Sequence, residues 1–209
     1  MHKQVIIDLL CTAEAAGLER AEALAREHGE ALERIIAEHG YNEVGIFKKE
    51  DFLADLMDCS GRRLEGLPAA LPAGLKHLNC SDNRLTSLPS RLPEGLKELY
   101  CGKNRLSALP ELPEGLEDLD CSENQLVALP SYLPEALTEL DCSDNLLTSI
   151  GEYLSNRVVF VDCRNNRIAR LPDLHPWLEE LAASGNGFLC VEGLPAGCKS
   201  DLPGCGAPG

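Results

Sequence analysis

A pattern of 20 or 21 residues occurs seven times along this chain. Its copies begin at Ala54, Leu75, Leu96, Leu116, Leu137, Val158 and Leu178. Apolar residues recur at positions 1, 4, 6, 11 and 14 of the pattern, and asparagine recurs at position 9 of six copies. One copy is too small to bury its own apolar positions, so the copies must stack and share a core. The period therefore predicts an α/β repeat solenoid built on a curved parallel β-sheet.

Positions 3 to 5 of each copy are predicted to form a short strand. Side chains alternate across a strand, so we expect positions 4 and 6 to point into the core and positions 3 and 5 to lie on the concave face. Six copies have cysteine at position 6, and these thiols are expected to stack as small buried apolar groups. Since the first residues show no secretory pattern, we expect reduced thiols rather than a disulfide framework. The six are Cys59, Cys80, Cys101, Cys121, Cys142 and Cys163.

The asparagine at position 9 is predicted to lie in a turn and to satisfy backbone groups that the bend leaves unpaired. The segment that returns to the next strand has the form LPxxLP in several copies, and its fixed-φ prolines predict an extended convex return. The position 9 residues are Asn83, Asn104, Asn124, Asn145, Asn166 and Asn186.

The segments on either side of the repeats have different compositions. All 13 prolines lie at Pro68 or later, and residues 1–52 are rich in helix-forming Ala, Glu and Leu with apolar residues three and four apart. We expect a helical N-terminal cap over 1–52, with a further helical turn over 49–57, and about seven repeats over 53–190. Residues 191–209 are rich in Gly and Pro and contain Cys198 and Cys205, which predicts a flexible tail.

Charge and motifs exclude several classes of function. The chain carries 19 Lys and Arg against 34 Asp and Glu, a net charge of −15, which disfavours nucleic acid and anionic membranes as partners. Cysteine and histidine do not cluster at zinc-ligand spacing, and no phosphate-binding loop or GxSxG motif occurs. We therefore expect no enzyme activity, no metal site and no cofactor.

The predicted concave face is the candidate site for a protein partner. Its centre combines carboxylates with the aromatic side chains of Tyr100 and Phe160, an arrangement typical of an interaction surface. The alternative is that the acidic residues only keep a stacked sheet soluble. The candidate partner-binding residues are His77, Asn79, Glu98, Tyr100, Asp118, Asp120, Glu139, Asp141, Phe160, Asp162 and Glu180.

The repeats over residues 54–190, with their LPxxLP returns, resemble the short bacterial leucine-rich repeats of the YopM and IpaH type. This resemblance implies a curved repeat array capped by a helical hairpin, and a module that binds host proteins after delivery into a host cell. It favours a cytoplasmic, non-enzymatic scaffold or adaptor that binds a basic or mixed protein surface.

The alternative that the resemblance implies is the substrate-recognition part of an IpaH-type ubiquitin ligase. In the ligase members of that family, a separate helical domain follows the repeats and carries a catalytic cysteine. Since only about 20 residues follow the last repeat, we expect no such domain in this sequence. Cys80–Asp82 and Cys142–Asp144 have the spacing of the family's Cys-x-Asp motif, but their place inside the repeats predicts a structural role.

Overall fold

The computed structural model describes residues 52–53, 55–67, 71–151, 154–188, 190–202 and 204. These residues form one nine-stranded sheet in which the strands follow chain order. The first pair is antiparallel and every later pair is parallel. The described part of the chain contains no apolar helix of membrane-spanning length. The strands are β1 (Phe52–Leu53), β2 (Leu56–Asp58), β3 (His77–Asn79), β4 (Glu98–Tyr100), β5 (Asp118–Asp120), β6 (Glu139–Asp141), β7 (Phe160–Asp162), β8 (Glu180–Ala182) and β9 (Lys199–Ser200).

Strands β2 to β8 are the seven repeats, and each covers positions 3 to 5 of its copy. Equivalent positions pair directly, so that His77 lies beside Glu98 and Leu78 beside Leu99. The middle residue of each strand is buried, as the alternation of side chains requires. The predicted parallel-sheet solenoid of about seven turns is confirmed.

The core lies on one side of this sheet and is a stack of identical layers. In the second repeat, Leu75, Leu78, Cys80 and Leu85 are completely buried, and so are their equivalents in the third repeat. The six position 6 cysteines form the predicted buried ladder, and none of them is in a disulfide. Such layers give the solenoid a continuous core although each repeat contributes only about 20 residues.

The position 9 asparagines join neighbouring repeats through their side-chain amides. In Asn104, Oδ1 accepts a hydrogen bond from Leu85 N (3.0 Å), while Nδ2 donates to Cys80 O (3.0 Å) and Cys101 O (3.0 Å). The other five make the equivalent three bonds, of which two satisfy backbone groups of the preceding repeat and one satisfies the position 6 carbonyl of the same repeat. The predicted role of these residues is confirmed.

The structure differs from the sequence-based expectation at the start of the repeats. A helical turn was expected over 49–57, but Phe52–Leu53 and Leu56–Asp58 are strands paired with each other. Pairing of Leu56–Asp58 with β3 fixes the extended conformation there, against local helix propensity. The helical cap predicted for residues 1–52 lies outside the described residues apart from β1. The extended form of the returns stays a prediction.

The C-terminal segment also differs from the flexible tail that its composition predicted. Lys199 and Ser200 pair in parallel with β8, and Val191 is only 1% exposed. Leu194 and Leu202 pack against the core. Cys190 is disulfide-bonded, so the expectation of reduced thiols does not hold at that residue. The exposed edge of the last repeat explains the order, because it offers backbone groups and apolar surface to a following segment.

Candidate functional site

The face of the sheet opposite the core presents the side chains at positions 3 and 5 of β2 to β8, and we call it the open face. All eleven candidate residues from the sequence lie on it, in the expected rows. Position 3 gives one row from His77 to Glu180, and position 5 gives the second row from Asn79 to Asp162. The structure shows that these two rows have different roles.

The position 5 carboxylates are largely occupied by their own turns. Asp120 Oδ1 accepts hydrogen bonds from Ser122 N (2.9 Å) and Ser122 Oγ (2.7 Å), and Asp141 makes the same two bonds with Ser143. The Asn79 amide accepts from Ser81 N (3.2 Å). These side chains order the bend after each strand, as short polar side chains commonly do.

Asp162 is the most enclosed of the candidates. It is only 4% exposed, and its carboxylate forms a bidentate ion pair with Arg164, whose Nε donates to Oδ1 and whose Nη2 donates to Oδ2. Its Oδ1 also accepts from Arg164 N (3.1 Å). A partner would have to displace the guanidinium to reach it, so Asp162 contributes to the turn rather than to the exposed surface.

At position 3, one half of the row forms a connected polar network. His77 Nδ1 lies 2.8 Å from Glu98 Oε2, and the Tyr100 hydroxyl lies 2.6 Å from Asp118 Oδ2 and 3.2 Å from Glu98 Oε2. A phenol has one proton to donate, so it serves these two carboxylates one at a time. Desolvation, the hydrogen bond to Asp118 and the two negative charges raise the pKa of Tyr100. The tyrosine therefore stays neutral and rigid between two acids.

The other half of the row is more open. Glu139 and Glu180 are exposed and flank the half-buried Phe160, each lying beside it in register on a neighbouring strand. Further along this side of the molecule, Trp177 is 70% exposed. Sequence reasoning did not select Trp177, because it lies in a return outside the strand positions, although it is the single tryptophan of the chain.

Two carboxyl groups of the open face are held at raised pKa. Desolvation by burial raises the pKa of Asp118, and Glu139 and Glu98 add to the effect through their charges. Desolvation also raises the pKa of Asp141, to which the charges of Asp162 and Asp120 contribute. Negative charge is therefore concentrated enough on this face that a cation brought to it would relieve repulsion.

The repeats of this chain are similar to those of proteins of known family and structure. Residues 74–114 match the model for Leucine Rich repeats (2 copies). A leucine-rich-repeat domain of a Shigella effector is 30% identical, with a TM-score of 0.58, over 64% of this chain and 70% of that domain. The chain belongs to this family of bacterial leucine-rich-repeat proteins. No curated protein matches it.

Two solved structures of YopM share this leucine-rich-repeat fold. YopM from Yersinia enterocolitica is 34% identical with a TM-score of 0.67, over 76% of this chain. The leucine-rich effector YopM from Yersinia pestis is also 34% identical, with a TM-score of 0.59, over 70% of this chain. The chain spans only 36% and 39% of these two proteins. The likeness supports a YopM-like and IpaH-like repeat module.

The leucine-rich-repeat core places its thiols where they are chemically inert. Burial raises the pKa of Cys80 and of Cys163 to about 12, and it also raises the pKa of the three thiols between Cys80 and Cys163 in the ladder, Cys101, Cys121 and Cys142. A buried thiol of high pKa is a poor nucleophile, since the thiolate is the reactive form. Within the described ranges, no group of three His, Cys, Asp or Glu side chains is placed to hold a metal ion.

Proposed function

We propose that the chain is a non-enzymatic protein-binding module whose open face binds a partner protein with a basic or mixed surface. The observation that supports it most is the position 3 row, where Glu98, Asp118, Glu139 and Glu180 stand in register across the sheet with aromatic rings among them. Seven strands at about 4.8 Å span roughly 30 Å, which suits a protein interface of standard size.

Electrostatics favours a cationic partner. Desolvation, and after it the charges of neighbouring carboxylates, raise the pKa of Asp118 and of Asp141, so a lysine- or arginine-rich surface would find both attraction and relief of repulsion there. Tyr100 offers an aromatic ring held by two acids, and rigid aromatic side chains are frequent anchors of protein interfaces. We expect the face to be concave.

The site of action is part of the same proposal. Similarity to effector proteins of Yersinia and Shigella is consistent with delivery into a host cell and binding in its cytoplasm. The buried, high-pKa thiols support an interaction role without catalysis by this chain. We expect the purified chain to leave a ubiquitin-charged conjugating enzyme unreacted, and measurable discharge of ubiquitin would favour the ligase alternative.

Selection of a random peptide library on the immobilised chain tests the proposal. Peptides retained by the native chain are expected to be enriched in lysine and arginine, and their binding is expected to weaken as salt is raised. The face variant E98K/D118K is expected to lose these peptides, since it reverses two charges at the centre of the position 3 row.

The matched control is E111K/E135K, which makes the same change in net charge at two exposed glutamates in the returns. The control is expected to bind the selected peptides as the native chain does. Equal binding by the face variant and the native chain, with both variants folded by circular dichroism, would contradict the assignment of the open face.

A further inference from the structure

A groove of about 600 Å³ lies at the amino ends of β6 to β9, where the open face meets the returns. Its apolar part is formed by Phe160, Pro176 and Trp177, and its polar part includes Glu139, Glu180 and Lys199. Trp177 is 70% exposed, a large apolar surface to leave in water. The groove is continuous with the open face through Phe160 and its two flanking glutamates.

Trp177 lies in a short turn whose backbone is ordered by its neighbours. Pro176 precedes it with a fixed φ, and Trp177 N lies 3.3 Å from His175 Nδ1, which accepts its hydrogen bond. The two rings lie 6.4 Å apart between centroids and are tilted by 38°. Because the backbone at Trp177 is already ordered by this turn, a ligand that covers the indole has little backbone entropy left to lose there.

The charge around these rings is negative. Glu139 and Glu180 flank Phe160 on the neighbouring strands, and Glu179 also lines the groove. Among the described residues that line the groove, these three carboxylates face one ammonium group, that of Lys199, which pairs beside Glu180 in the sheet. The combination of an aromatic face and several carboxylates is complementary to a planar cation, which can stack on a ring and hydrogen-bond to acids at once.

We propose that this Trp177 groove binds an arginine side chain of the partner, with an apolar neighbour of that arginine on Phe160. The proposal rests on the proposed function for the existence of a protein partner, and it names the chemistry by which one segment of that partner is recognised. The guanidinium stacks on Trp177 and donates to Glu180 and Glu139. The occupant is an extended peptide segment, since the groove runs across strand ends rather than into the core.

The single tryptophan of the chain gives a direct measurement. The probe is the blocked tripeptide acetyl-Leu-Arg-Leu-amide, titrated while the emission of Trp177 is recorded. The matched probe replaces arginine with citrulline, which has the same shape and no charge. We expect a saturable change with the arginine peptide, at an affinity about tenfold or more above that of the citrulline peptide.

Two variants test the assignment with opposite signs. E180Q is expected to weaken binding of the arginine peptide about threefold, while K199Q is expected to strengthen it about threefold by removing the competing cation. Identical titrations by the arginine and citrulline peptides, or emission that does not saturate, would overturn the proposal. An apolar-only groove would give the first of these results.

The library-selected peptides separate this proposal from the proposed function. W177A is expected to bind arginine-containing selected peptides at least about fivefold more weakly, whereas Y132A, which removes an aromatic ring that is 80% exposed in another return, is expected to change nothing. If E98K/D118K loses the peptides and W177A does not, the open face stands and the groove proposal fails. If W177A loses them and E98K/D118K does not, the groove stands and the central face fails.

Discussion

At the scale of the residue, one asparagine per repeat joins each layer of the solenoid to the layer before it. Its amide supplies an acceptor and two donors, and all are used on backbone atoms of two successive repeats, as in Asn145 with Leu126 N, Cys121 O and Cys142 O. A leucine of similar size could also be buried there, but it could not form hydrogen bonds with these backbone groups. The amide is therefore required for hydrogen bonding rather than for volume.

Replacing Asn145 by leucine is expected to lower the free energy of unfolding by at least about 3 kcal/mol. The side chain is 5% exposed, so the three backbone groups that it serves would stay buried without partners, at about 1–3 kcal/mol each. Urea unfolding followed by circular dichroism measures the change. The control is Q125L, the same chemical change at an exposed side chain, which is expected to stay within about 0.5 kcal/mol of the native chain. A loss below about 1 kcal/mol for N145L would contradict this role.

The sequence was sufficient for these core positions and insufficient for the open face. Periodicity identifies position 9 and position 6 because six of the seven repeats have the same residue type at each of them, as Asn104 and Cys101 illustrate. Alternation also places Asp120 on the open face, but it does not tell whether the carboxylate points outward or turns back to Ser122. The orientation of the carboxylate depends on a side-chain rotamer and on a local hydrogen bond, and the repeat pattern of the sequence predicts neither of them.

At the scale of the element, the C-terminal segment completes the edge of the last repeat. In the preceding repeats the N–H at position 6 donates to a carbonyl of the next strand, as Cys163 N does to Ala182 O (2.8 Å). In the last repeat, Ala183 N instead donates to Asp201 Oδ1 (2.8 Å), and Ser184 N donates to Oδ2 (3.1 Å). One carboxylate therefore replaces two acceptors: the carbonyl that a further strand would provide for Ala183 N, and the position 5 side chain, which accepts from the N–H equivalent to Ser184 N in earlier repeats but is an alanine here. Composition alone could not predict that this segment pairs with the sheet edge, because Gly and Pro content indicates local flexibility and says nothing about unpaired backbone groups on the preceding strand.

D201N is expected to lower the free energy of unfolding by about 1 kcal/mol at pH 7, since it replaces one of the two accepting oxygens with an NH2 group, which is a donor. Desolvation raises the pKa of Asp201, but hydrogen bonds from Ser184 and from the backbone N–H of Ala183 outweigh it, and the pKa is lowered. A lowered pKa stabilises the fold above the unfolded value of about 3.9, and this contribution disappears as pH falls through the folded value.

The native chain and D201N are therefore expected to converge in urea midpoint when the pH is lowered below the ordinary aspartate range. E192Q, an exposed carboxylate in the same segment, is the matched control and is expected to leave the midpoint unchanged at both pH values. A difference between D201N and the native chain that persists at low pH would contradict the hydrogen-bond role of the carboxylate.

At the scale of the whole molecule, the net charge of −15 has an energetic cost in the folded state. The strand register places acidic side chains of successive repeats beside one another. Carboxylates that are about 20 residues apart in the unfolded chain therefore form a row of neighbouring charges in the fold. The pKa values of Asp118 and Asp141 are raised, first by desolvation and then by the charges of neighbouring carboxylates. The face proposed to bind a partner is thus one that lowers the stability of the free protein, a trade common at functional sites.

This argument predicts that D141N raises stability at pH 7, opposite in sign to D201N. The raised pKa means that the folded chain binds more protons than the unfolded one through the carboxyl range, so the free energy of unfolding falls as pH rises toward 7. An asparagine keeps an oxygen that can accept from Ser143 N and Oγ, as Asp141 does, and removes the charge. The gain is expected to be below about 1 kcal/mol, because water still screens this partly buried group. Urea midpoints of the two variants and the native chain at pH 7 and pH 5 measure it, with the gap between D141N and the native chain narrowing at pH 5. A lower midpoint for D141N at pH 7 would show that the position 5 carboxylates stabilise their turns more than they repel one another.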